Sequence, residues 1–292
     1  MVREGDLTLN EYEPIRDALA RATDRLSRSS DSPRLDAELL LARAIDVPRA
    51  YLMAHPEDTL DPDARSRFED AVERRAAGMP LAYITGVREF WSLSLMVTPD
   101  TLVPRPETEL LVEQALARIG RRADLRILDL GTGSGAIALA LARERPLCHV
   151  VATDRSEAAL AVARQNARQL DVDNVEFLAG DWIEPVHGRS FDLIVANPPY
   201  VAEGDPALDA LRREPRTALA AGPDGLDAIR RIAAEAAAVL AGGGCLLLEH
   251  GADQERAVAE ILAAAGWTDI HCYRDLAGLP RVTGARHGPA LS

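Results

Sequence analysis

The first 80 residues carry apolar side chains at helical spacing. In segment 11–26 the three-and-four repeat falls on Ile15, Ala18, Leu19, Ala22 and Leu26. This repeat predicts an amphipathic helix. Prolines at positions 33, 48 and 62 open further segments of the same kind, and proline is favoured in the first turn of a helix. We predict a bundle of about four helices and no strand in a first domain, residues 1–79.

From residue 80 onwards the pattern changes. Residues 90–97 alternate between the two faces of a strand, and we expect this strand to form a hairpin with residues 81–86. Prolines then mark a loop over 99–106, and a helix is predicted over 107–119. We interpret residues 80–106 as a connector between two domains.

Beyond residue 107, apolar strand segments alternate with helical ones. The predicted strands are 126–130, 149–153, 175–179, 191–196, 244–249, 269–273 and 281–285. Continuous apolar runs are typical of strands that are covered on both faces. The α/β alternation predicts a doubly wound, mostly parallel seven-stranded sheet in a second domain, residues 107–292, closed by an antiparallel hairpin. Such sheets bind ligands beyond the carboxyl ends of their strands.

Charge and composition exclude several classes of function. Of the 292 residues, 33 are basic and 46 acidic, which gives a net charge of −13, and every basic residue is arginine. Lysine nucleophiles and lysine-containing phosphate loops are therefore excluded. The acidic balance disfavours direct binding of nucleic acid.

Targeting signals and metal-binding spacings are not evident in the sequence. Residues 1–10 have no apolar core, and the longest apolar run, 236–248, is too short for a membrane span. Cys148, Cys245 and Cys272 lie far apart, so we predict neither a disulfide nor a metal site. A cytoplasmic protein without a membrane partner is expected.

A glycine loop follows the first strand of the predicted sheet and opens directly into a helix. It consists of Gly131, Thr132, Gly133, Ser134 and Gly135. Glycines let a ligand approach the backbone closely. The same spacing also fits a dinucleotide-binding loop or a purely structural turn, so the loop alone does not decide the cofactor.

Acidic residues follow the next two strands. Asp154 is placed to accept hydrogen bonds from a ribose diol or to cap the helix that starts near Ser156, and the two roles can coexist. Asp181 is placed to bind an adenine amine, and Trp182 to lie against the purine ring, although a core-packing role for Trp182 stays open.

The tetrapeptide Asn197-Pro198-Pro199-Tyr200 directly follows strand 191–196. The Asn197 side-chain oxygen and the Pro198 carbonyl can each accept one N–H bond from a planar nitrogen. Two acceptors favour the pyramidal, nucleophilic form of that nitrogen and stabilise its developing charge. Tyr200 offers a ring on which a flat group stacks. The pattern predicts methyl transfer to a planar nitrogen, with Asn197, Pro198 and Tyr200 as catalytic residues.

Together these motifs resemble class I S-adenosylmethionine-dependent methyltransferases that act on planar nitrogens. Segments 80–86, 89–91, 102–109, 214–219 and 246–251 narrow the resemblance to the HemK/PrmC family, the glutamine-N5 methyltransferases of peptide chain release factors. The resemblance implies cofactor contacts at 131–135, Asp154, Trp182 and Asn197, and contacts of the substrate glutamine at 197–200. It also implies that the substrate is the glutamine of the Gly-Gly-Gln motif, and that the helical domain recognises the release factor.

Alternatives remain open from the sequence. An adenine-N6 methyltransferase or a glutamine methyltransferase of a ribosomal protein shares the tetrapeptide. An NAD-dependent oxidoreductase or a non-catalytic cofactor-binding module shares the glycine loop. Arg105 and Glu107 either contact ligand or cap a helix and form an interdomain ion pair. Glu249 and His250 end the fifth strand at the ligand-binding edge, and we interpret His250 as a hydrogen-bonded edge residue.

Overall fold

A computed structural model describes residues 12–120 and 124–288 of the chain. The chain divides into two compact units, Met1–Gly86 and Val87–Ser292. The boundary at Gly86 falls inside the segment that we predict as a connector. The terminal segment 1–10, in which we expect no targeting signal, lies outside the described residues.

The first unit is built from short helices. Its described elements are β1 (Glu13–Pro14), α1 (Ile15–Leu26), α2 (Pro33–Ala44), α3 (Arg49–Ala54), β2 (Thr59–Leu60), α4 (Pro62–Ala76) and α5 (Leu81–Thr85). The predicted apolar stripe of α1 is buried in the core of this unit. The two-residue strands β1 and β2 pair antiparallel. Our expectation that this domain has no strand is therefore wrong. Each strand has only two residues, which is too short for an alternation of apolar and polar residues to be visible in the sequence.

The second unit opens with a hairpin whose position differs from the one that we predict from the sequence. Its strands are β3 (Val87–Phe90) and β4 (Leu93–Met96), which pair antiparallel. Trp91 and Ser92 form the turn with φ of 51° and 56°, values that bulky residues rarely adopt. The predicted single strand 90–97 is therefore two strands, and its predicted partner, 81–86, is largely the helix α5.

The other elements of the second unit alternate as predicted. They are α6 (Glu109–Arg118), β5 (Arg126–Leu130), α7 (Ala136–Glu144), β6 (His149–Asp154), α8 (Glu157–Gln169), β7 (Val175–Ala179), β8 (Phe191–Ala196), α9 (Ala207–Ala210), α10 (Asp227–Glu235), β9 (Leu240–Glu249), α11 (Glu255–Ala264), β10 (Trp267–Arg274) and β11 (Pro280–His287). A single 3₁₀ turn, Pro106–Thr108, precedes α6. Strand β9 starts earlier than predicted, at Leu240, which pairs with Phe191 of β8. Its glycines at 242–244 lie where the register shifts before the pairing resumes at Cys245.

Among the described residues, seven strands form one sheet in the order β10-β11-β9-β8-β5-β6-β7. The pairs β5–β6, β6–β7, β5–β8 and β8–β9 are parallel, whereas β11 is antiparallel to both of its neighbours. The predicted doubly wound, mostly parallel sheet with a closing hairpin is thus confirmed. The strand order reverses between β5 and β8, and ligands of open α/β sheets bind at such a switch point.

The core of the second unit lies on both faces of this sheet. Successive residues of the central strands alternate between two apolar layers, so that Ile127 joins one layer and Leu128 the other. Both faces of β5 and β8 are buried, which explains why these strands read as continuous apolar runs. In the described part of the chain, no helix has both the length and the apolar character that crossing a membrane requires.

Candidate active site

A cavity of about 460 Å³ lies at the carboxyl ends of the central strands. It is within the size range of small-molecule binding sites. Eight of the predicted site residues line it: Gly131, Gly133, Asp154, Asp181, Trp182, Asn197, Pro198 and Pro199. The sheet brings these residues together from four different loops, because parallel strands end at one common edge.

The glycine loop contributes its backbone to the cavity. Gly131 and Gly133 have φ of 75° and 56° and both line the cavity. A Cβ at Gly133 would meet no atom within 4 Å, so the missing side chain leaves space that a ligand can use. This open cradle fits an adenosine-type cofactor. The predicted contacts of S-adenosylmethionine with this loop stay a prediction.

The other three residues of the loop make contacts within the protein interior. The Thr132 hydroxyl donates to the buried Asp129 carboxylate at 2.6 Å, and burial raises the pKa of Asp129 to about 7. Ser134 is buried, and its carbonyl accepts from Asn166 at 2.9 Å. Gly135 starts α7, where a Cβ would lie 3.2 Å from the methyl of Ala163. These residues hold the loop, while Gly131 and Gly133 face the cavity.

Asp154 connects the glycine loop to helix α8. One carboxylate oxygen accepts from the Gly133 N–H at 2.9 Å and the other from the Ser156 N–H at 2.8 Å. The cap of α8 is Ser156, whose side chain accepts from the Ala159 N–H. The alternative interpretation of Asp154 as the helix cap is therefore wrong. A carboxylate has about four acceptor positions, so Asp154 retains capacity for the predicted ribose diol.

We expect Asp154→Ala to weaken binding of S-adenosylmethionine by about 10–100-fold. Hydrogen bonds to a charged group contribute about 1.5–3 kcal/mol. Calorimetric titration with the cofactor measures this change. Asp173→Ala, which removes an exposed carboxylate, serves as the matched control, and equal affinity in both variants would remove the cofactor role of Asp154.

Asp181 and Trp182 line the far side of the cavity. The Asp181 carboxylate pairs with Arg231 of α10, so one of its oxygens is already engaged. Trp182 has φ of 49°, and its ring lies 3.5 Å from the position of a Cβ on Gly131. The same ring packs against one apolar layer of the core. Trp182 therefore combines the two alternatives, core packing and cavity lining, and its contact with a purine stays a prediction.

The loop at residues 197–200 leaves β8 beside the cavity. Asn197 donates from Nδ2 to the Thr108 hydroxyl at 3.1 Å. Pro198 and Pro199 line the cavity, whereas the residues that line it do not include Tyr200. Burial raises the pKa of the Tyr200 hydroxyl to about 12. This phenol therefore stays protonated and uncharged at neutral pH.

Contacts to its backbone hold the 197–200 loop in place. The Tyr200 carbonyl accepts from Gln254 Nε2 at 2.9 Å. Val201 forms a parallel bridge with Ala220. Gly225, with φ of 75°, approaches the Tyr200 carbonyl so closely that a Cβ would lie 2.3 Å from its oxygen. The loop is thus fixed before any ligand binds, which favours precise positioning of its acceptors.

Arg105 joins two loops that border the cavity. Its guanidinium bonds Glu214 Oε1 at 2.5 Å, and Glu214 Oε2 accepts from the Val103 N–H at 3.0 Å. Glu214 is buried, so this pair fixes segment 99–106 against segment 214–221 within the second unit. Neither Arg105 nor Thr108 makes a side-chain cap at the helix start. The capping and interdomain alternatives for Arg105 are therefore wrong.

Several cavity residues were not predicted from the sequence. They come from the two loops that this ion pair joins, and they are Pro99, Asp100, Thr101, Leu102, Pro215, Thr217, Ala218, Ala220 and Ala221. The resemblance of segments 102–109 and 214–219 to the HemK/PrmC family pointed to this region, and so did the proline loop with Arg105 and Glu107, for which a ligand contact was one of the two alternatives. Among the described residues, no group of three or more His, Cys, Asp or Glu is arranged to hold a metal ion.

Comparison with known proteins assigns the chain to a family. Residues 17–86 match the PrmC N-terminal domain and residues 121–266 match a methyltransferase domain. The chain is 48% identical to the release factor glutamine methyltransferase of Coxiella burnetii over 274 residues, which cover 94% of this chain and 99% of that protein. It is 52% identical to the enzyme of the same name from Pseudomonas aeruginosa over 262 residues, which cover 88% and 94%. The chain belongs to the release factor glutamine methyltransferase family.

Membership in this family makes the chain a methyltransferase and decides against the NAD-dependent oxidoreductase. Solved structures agree with the fold. The 16S rRNA methyltransferase of T. thermophilus in complex with AdoMet and guanosine matches with a TM-score of 0.52 and 21% identity, covering 69% of this chain and 50% of that one. At this identity the match shows the class I methyltransferase fold alone.

Proposed function

We propose that the chain transfers a methyl group from S-adenosylmethionine to the side-chain nitrogen N5 of the glutamine in the Gly-Gly-Gln motif of bacterial peptide chain release factors. The observation that carries this proposal is the 197–200 loop, which places Asn197, Pro198 and Pro199 on the wall of the cavity that Gly131, Gly133 and Asp154 also line. The curated relatives named after this activity cover most of the chain.

The residues that line the cavity are suited to hold a cofactor and a glutamine side chain. The cradle of Gly131 and Gly133 and the carboxylate of Asp154 would hold S-adenosylmethionine, which supplies an electrophilic sulfonium methyl. The 197–200 loop would hold the carboxamide at the same cavity. Bringing both groups into one fixed geometry removes much of the entropic barrier of a bimolecular reaction.

Asn197 and Pro198 address the main chemical difficulty. The lone pair of an amide nitrogen is delocalised into the carbonyl group, so the nitrogen is a weak nucleophile. The Asn197 Oδ1 and the Pro198 carbonyl would each accept one of the two N–H bonds of the glutamine. Both acceptors then oppose planarity at nitrogen and stabilise the positive charge that develops there. Pro198 and Pro199 lack N–H groups and are stiff, which keeps the carbonyl directed inward.

Proton removal requires no strong base before the methyl group is transferred. The methylated nitrogen is cationic and acidic, so its proton leaves readily to solvent. This agrees with the state of Tyr200, whose raised pKa of about 12 prevents it from acting as a phenolate base at neutral pH. We assign to Tyr200 a stacking surface for the flat amide.

Mass spectrometry tests the proposal directly. The protein is incubated with S-adenosylmethionine, which carries only a trace of radiolabel in its methyl group, and a purified bacterial release factor, and the release factor is then digested. We expect an added mass of about 14 Da on the glutamine of the Gly-Gly-Gln peptide. Label confined to a ribosomal-protein glutamine or to nucleic-acid adenine in a parallel incubation with cell extract would contradict the proposal. The proposed function includes a cytoplasmic location, since release factors act on ribosomes.

The helical unit is part of the same proposal, as the region that recognises the release factor. We expect deletion of residues 1–78 to lower kcat/KM on intact release factor by about 100-fold or more, since a second contact raises the effective concentration of the reacting segment. Turnover of a short Gly-Gly-Gln peptide and calorimetric binding of S-adenosylmethionine are the matched controls, and we expect both to persist. If the truncated protein methylates intact release factor at the full rate, the second unit recognises the release factor and this part of the proposal is wrong.

A further inference from the structure

An arginine of α10 reaches the wall of the cavity beside Asp181. Arg231 and Asp181 both line the cavity, and Nη1 of Arg231 donates to Oδ2 of Asp181. The two residues are 50 positions apart in the sequence, and both side chains are half-buried. Ion pairs with this degree of exposure contribute little to stability. The position of this pair in the cavity wall therefore points to a role in binding rather than in folding.

Two further carboxylates fix the guanidinium group of Arg231. Its Nε donates to Glu235 Oε1 at 3.0 Å, and its Nη2 donates to Glu184 Oε1 at 3.2 Å. A guanidinium group is planar, and its N–H bonds have fixed directions within that plane. The contacts at Nε and Nη2 therefore determine the direction of Nη1, and with it the place where the Asp181 carboxylate is held.

The backbone around Asp181 is also fixed. The Asp181 carbonyl accepts from the Glu184 N–H at 3.0 Å, and the Trp182 carbonyl accepts from the Thr153 hydroxyl at 3.0 Å. While Arg231 holds Oδ2, Oδ1 receives no hydrogen bond from the residues that the structure describes. Because a carboxylate oxygen accepts hydrogen bonds and cannot donate them, Oδ1 is an acceptor of fixed position that stays available to a ligand.

A second acceptor, Asp154, lies on the neighbouring strand. The register of β6 and β7 pairs Asp154 with Ala179, and the Gly180 N–H donates to the Asp154 carbonyl at 3.0 Å. Asp154 and Asp181 therefore stand at one edge of the sheet and line the same cavity. Adenosine carries hydrogen-bond donors at both ends, the hydroxyls of its ribose and the amine at C6 of its base. Two acceptors in one cavity match such a ligand.

We propose that Arg231 is a positioning residue that holds Asp181 Oδ1 toward the C6 amine of adenine, so that the cavity selects a 6-aminopurine over a 6-oxopurine. Hypoxanthine has an oxygen at C6, so its nucleoside would bring one acceptor against another and leave both without a hydrogen. This inference rests on the part of the proposed function that concerns S-adenosylmethionine and deepens it. The identity of the methyl acceptor does not enter.

Fixing the carboxylate matters because hypoxanthine also carries a proton on N1, next to C6. A carboxylate that is free to move can shift by one ring position and accept that N1–H bond. Held by Arg231, Asp181 cannot follow it. Loss of Arg231 should therefore weaken binding of an adenosyl ligand and strengthen binding of an inosyl ligand relative to it. A purely structural role of Arg231 would lower both affinities equally.

Calorimetric titration with two compounds measures this selection. The compounds are S-adenosylhomocysteine and its deaminated analogue S-inosylhomocysteine, which differ at C6 and N1 of the base. We expect the wild-type protein to prefer the adenosyl compound by about 10–100-fold, the size expected for one unpaired polar contact. Arg231→Met keeps the unbranched stem and removes every donor, and the preference should fall to about 3-fold or less.

Two variants separate positioning from charge and from packing. Arg231→Lys keeps the charge but loses the planar group, so its preference should stay well below that of the wild type. Wild-type preference in Arg231→Lys would assign the effect to charge alone and overturn the positioning role. Arg256→Met is the matched control, because Arg256 pairs with Glu260 on α11 and does not line the cavity. Its preference should equal that of the wild type.

A double-mutant cycle tests whether Arg231 acts through Asp181. In Asp181→Asn the side chain can also donate to the oxygen at C6, so the preference for the adenosyl compound should disappear. Adding Arg231→Met to Asp181→Asn should then change the preference no further, since interacting residues are not additive. Losses of preference that add in the double variant would show that Arg231 acts independently, and would overturn the inference.

Failure of this inference and failure of the proposed function are distinguishable. If Arg231→Met retains the wild-type preference, or if the wild-type protein binds both compounds equally, the inference is wrong and methylation of release factor is unaffected as a proposal. If the wild-type protein does not methylate release factor but its preference disappears in Arg231→Met, the proposed function is wrong and the positioning role is supported. A wild-type protein that binds neither compound would contradict both.

Discussion

Replacement of Asn197 by alanine should lower kcat for methylation of release factor by about 100–1000-fold, or about 2.7–4 kcal/mol in the barrier. The loss follows from removing one of two acceptors that stabilise charge only as the methyl group is transferred. Because that charge is absent when the substrate first binds, KM should change much less than kcat. Steady-state kinetics with labelled S-adenosylmethionine measure both parameters.

A structural asparagine provides the control for this variant. Asn174 donates to the carbonyls of Ala142, Arg145 and Cys148 and does not line the cavity. Asn174→Ala should lower the melting temperature and leave kcat close to that of the wild type. Wild-type turnover in Asn197→Ala would show that the two-acceptor arrangement does not carry the reaction.

Gly225→Ala should lower kcat by about 100-fold, although Gly225 contacts no reacting group in the proposed mechanism. A Cβ at this position would lie 2.3 Å from the Tyr200 carbonyl oxygen and 2.9 Å from its carbon. Both are backbone atoms and cannot rotate away, so the 197–200 loop must shift. A displacement of about 1 Å at a reacting centre is enough for a loss of this size.

Stability measurements separate the local shift from general unfolding. The overpacked site and the positive φ of 75° at Gly225 should together lower the free energy of unfolding by about 1–3 kcal/mol. Gly204→Ala is the matched control in the same region, since a Cβ there would meet no atom within 4 Å. Equal kcat in both glycine variants would show that the position of the loop does not limit the reaction.

Much of the fold could be predicted because hydrophobic periodicity is local. The strand 126–130 and its parallel neighbours are apolar on both faces, and this signal does not depend on distant residues. The hairpin of β3 and β4 could not be located in this way. Its turn at Trp91 and Ser92 has left-handed backbone angles, which these residue types rarely adopt. The sequence therefore contains no typical turn residue there, and the alternation of the two strands reads as one continuous strand.

The site could be predicted only where the type of a single residue and its place in the sequence indicate its chemical role. Glycines at 131 and 133, Asp154 and the tetrapeptide at 197–200 lie at strand ends and are recognisable from their types. The partners that set their geometry are far away in sequence. Thr108 lies 89 positions from Asn197, and Glu214 lies 109 positions from Arg105. Such contacts follow from the topology of the sheet, which a single sequence does not encode locally.

A crystal structure of the protein with S-adenosylhomocysteine and a Gly-Gly-Gln peptide tests the central claim most directly. The proposal predicts that the Nε2 atom of the substrate glutamine lies about 2.7–3.2 Å from both Asn197 Oδ1 and the Pro198 carbonyl oxygen, which is hydrogen-bonding distance. The glutamine side chain should enter the cavity that Gly131 and Asp154 line. A glutamine bound in another cleft, with neither oxygen within that distance of its nitrogen, would contradict the account.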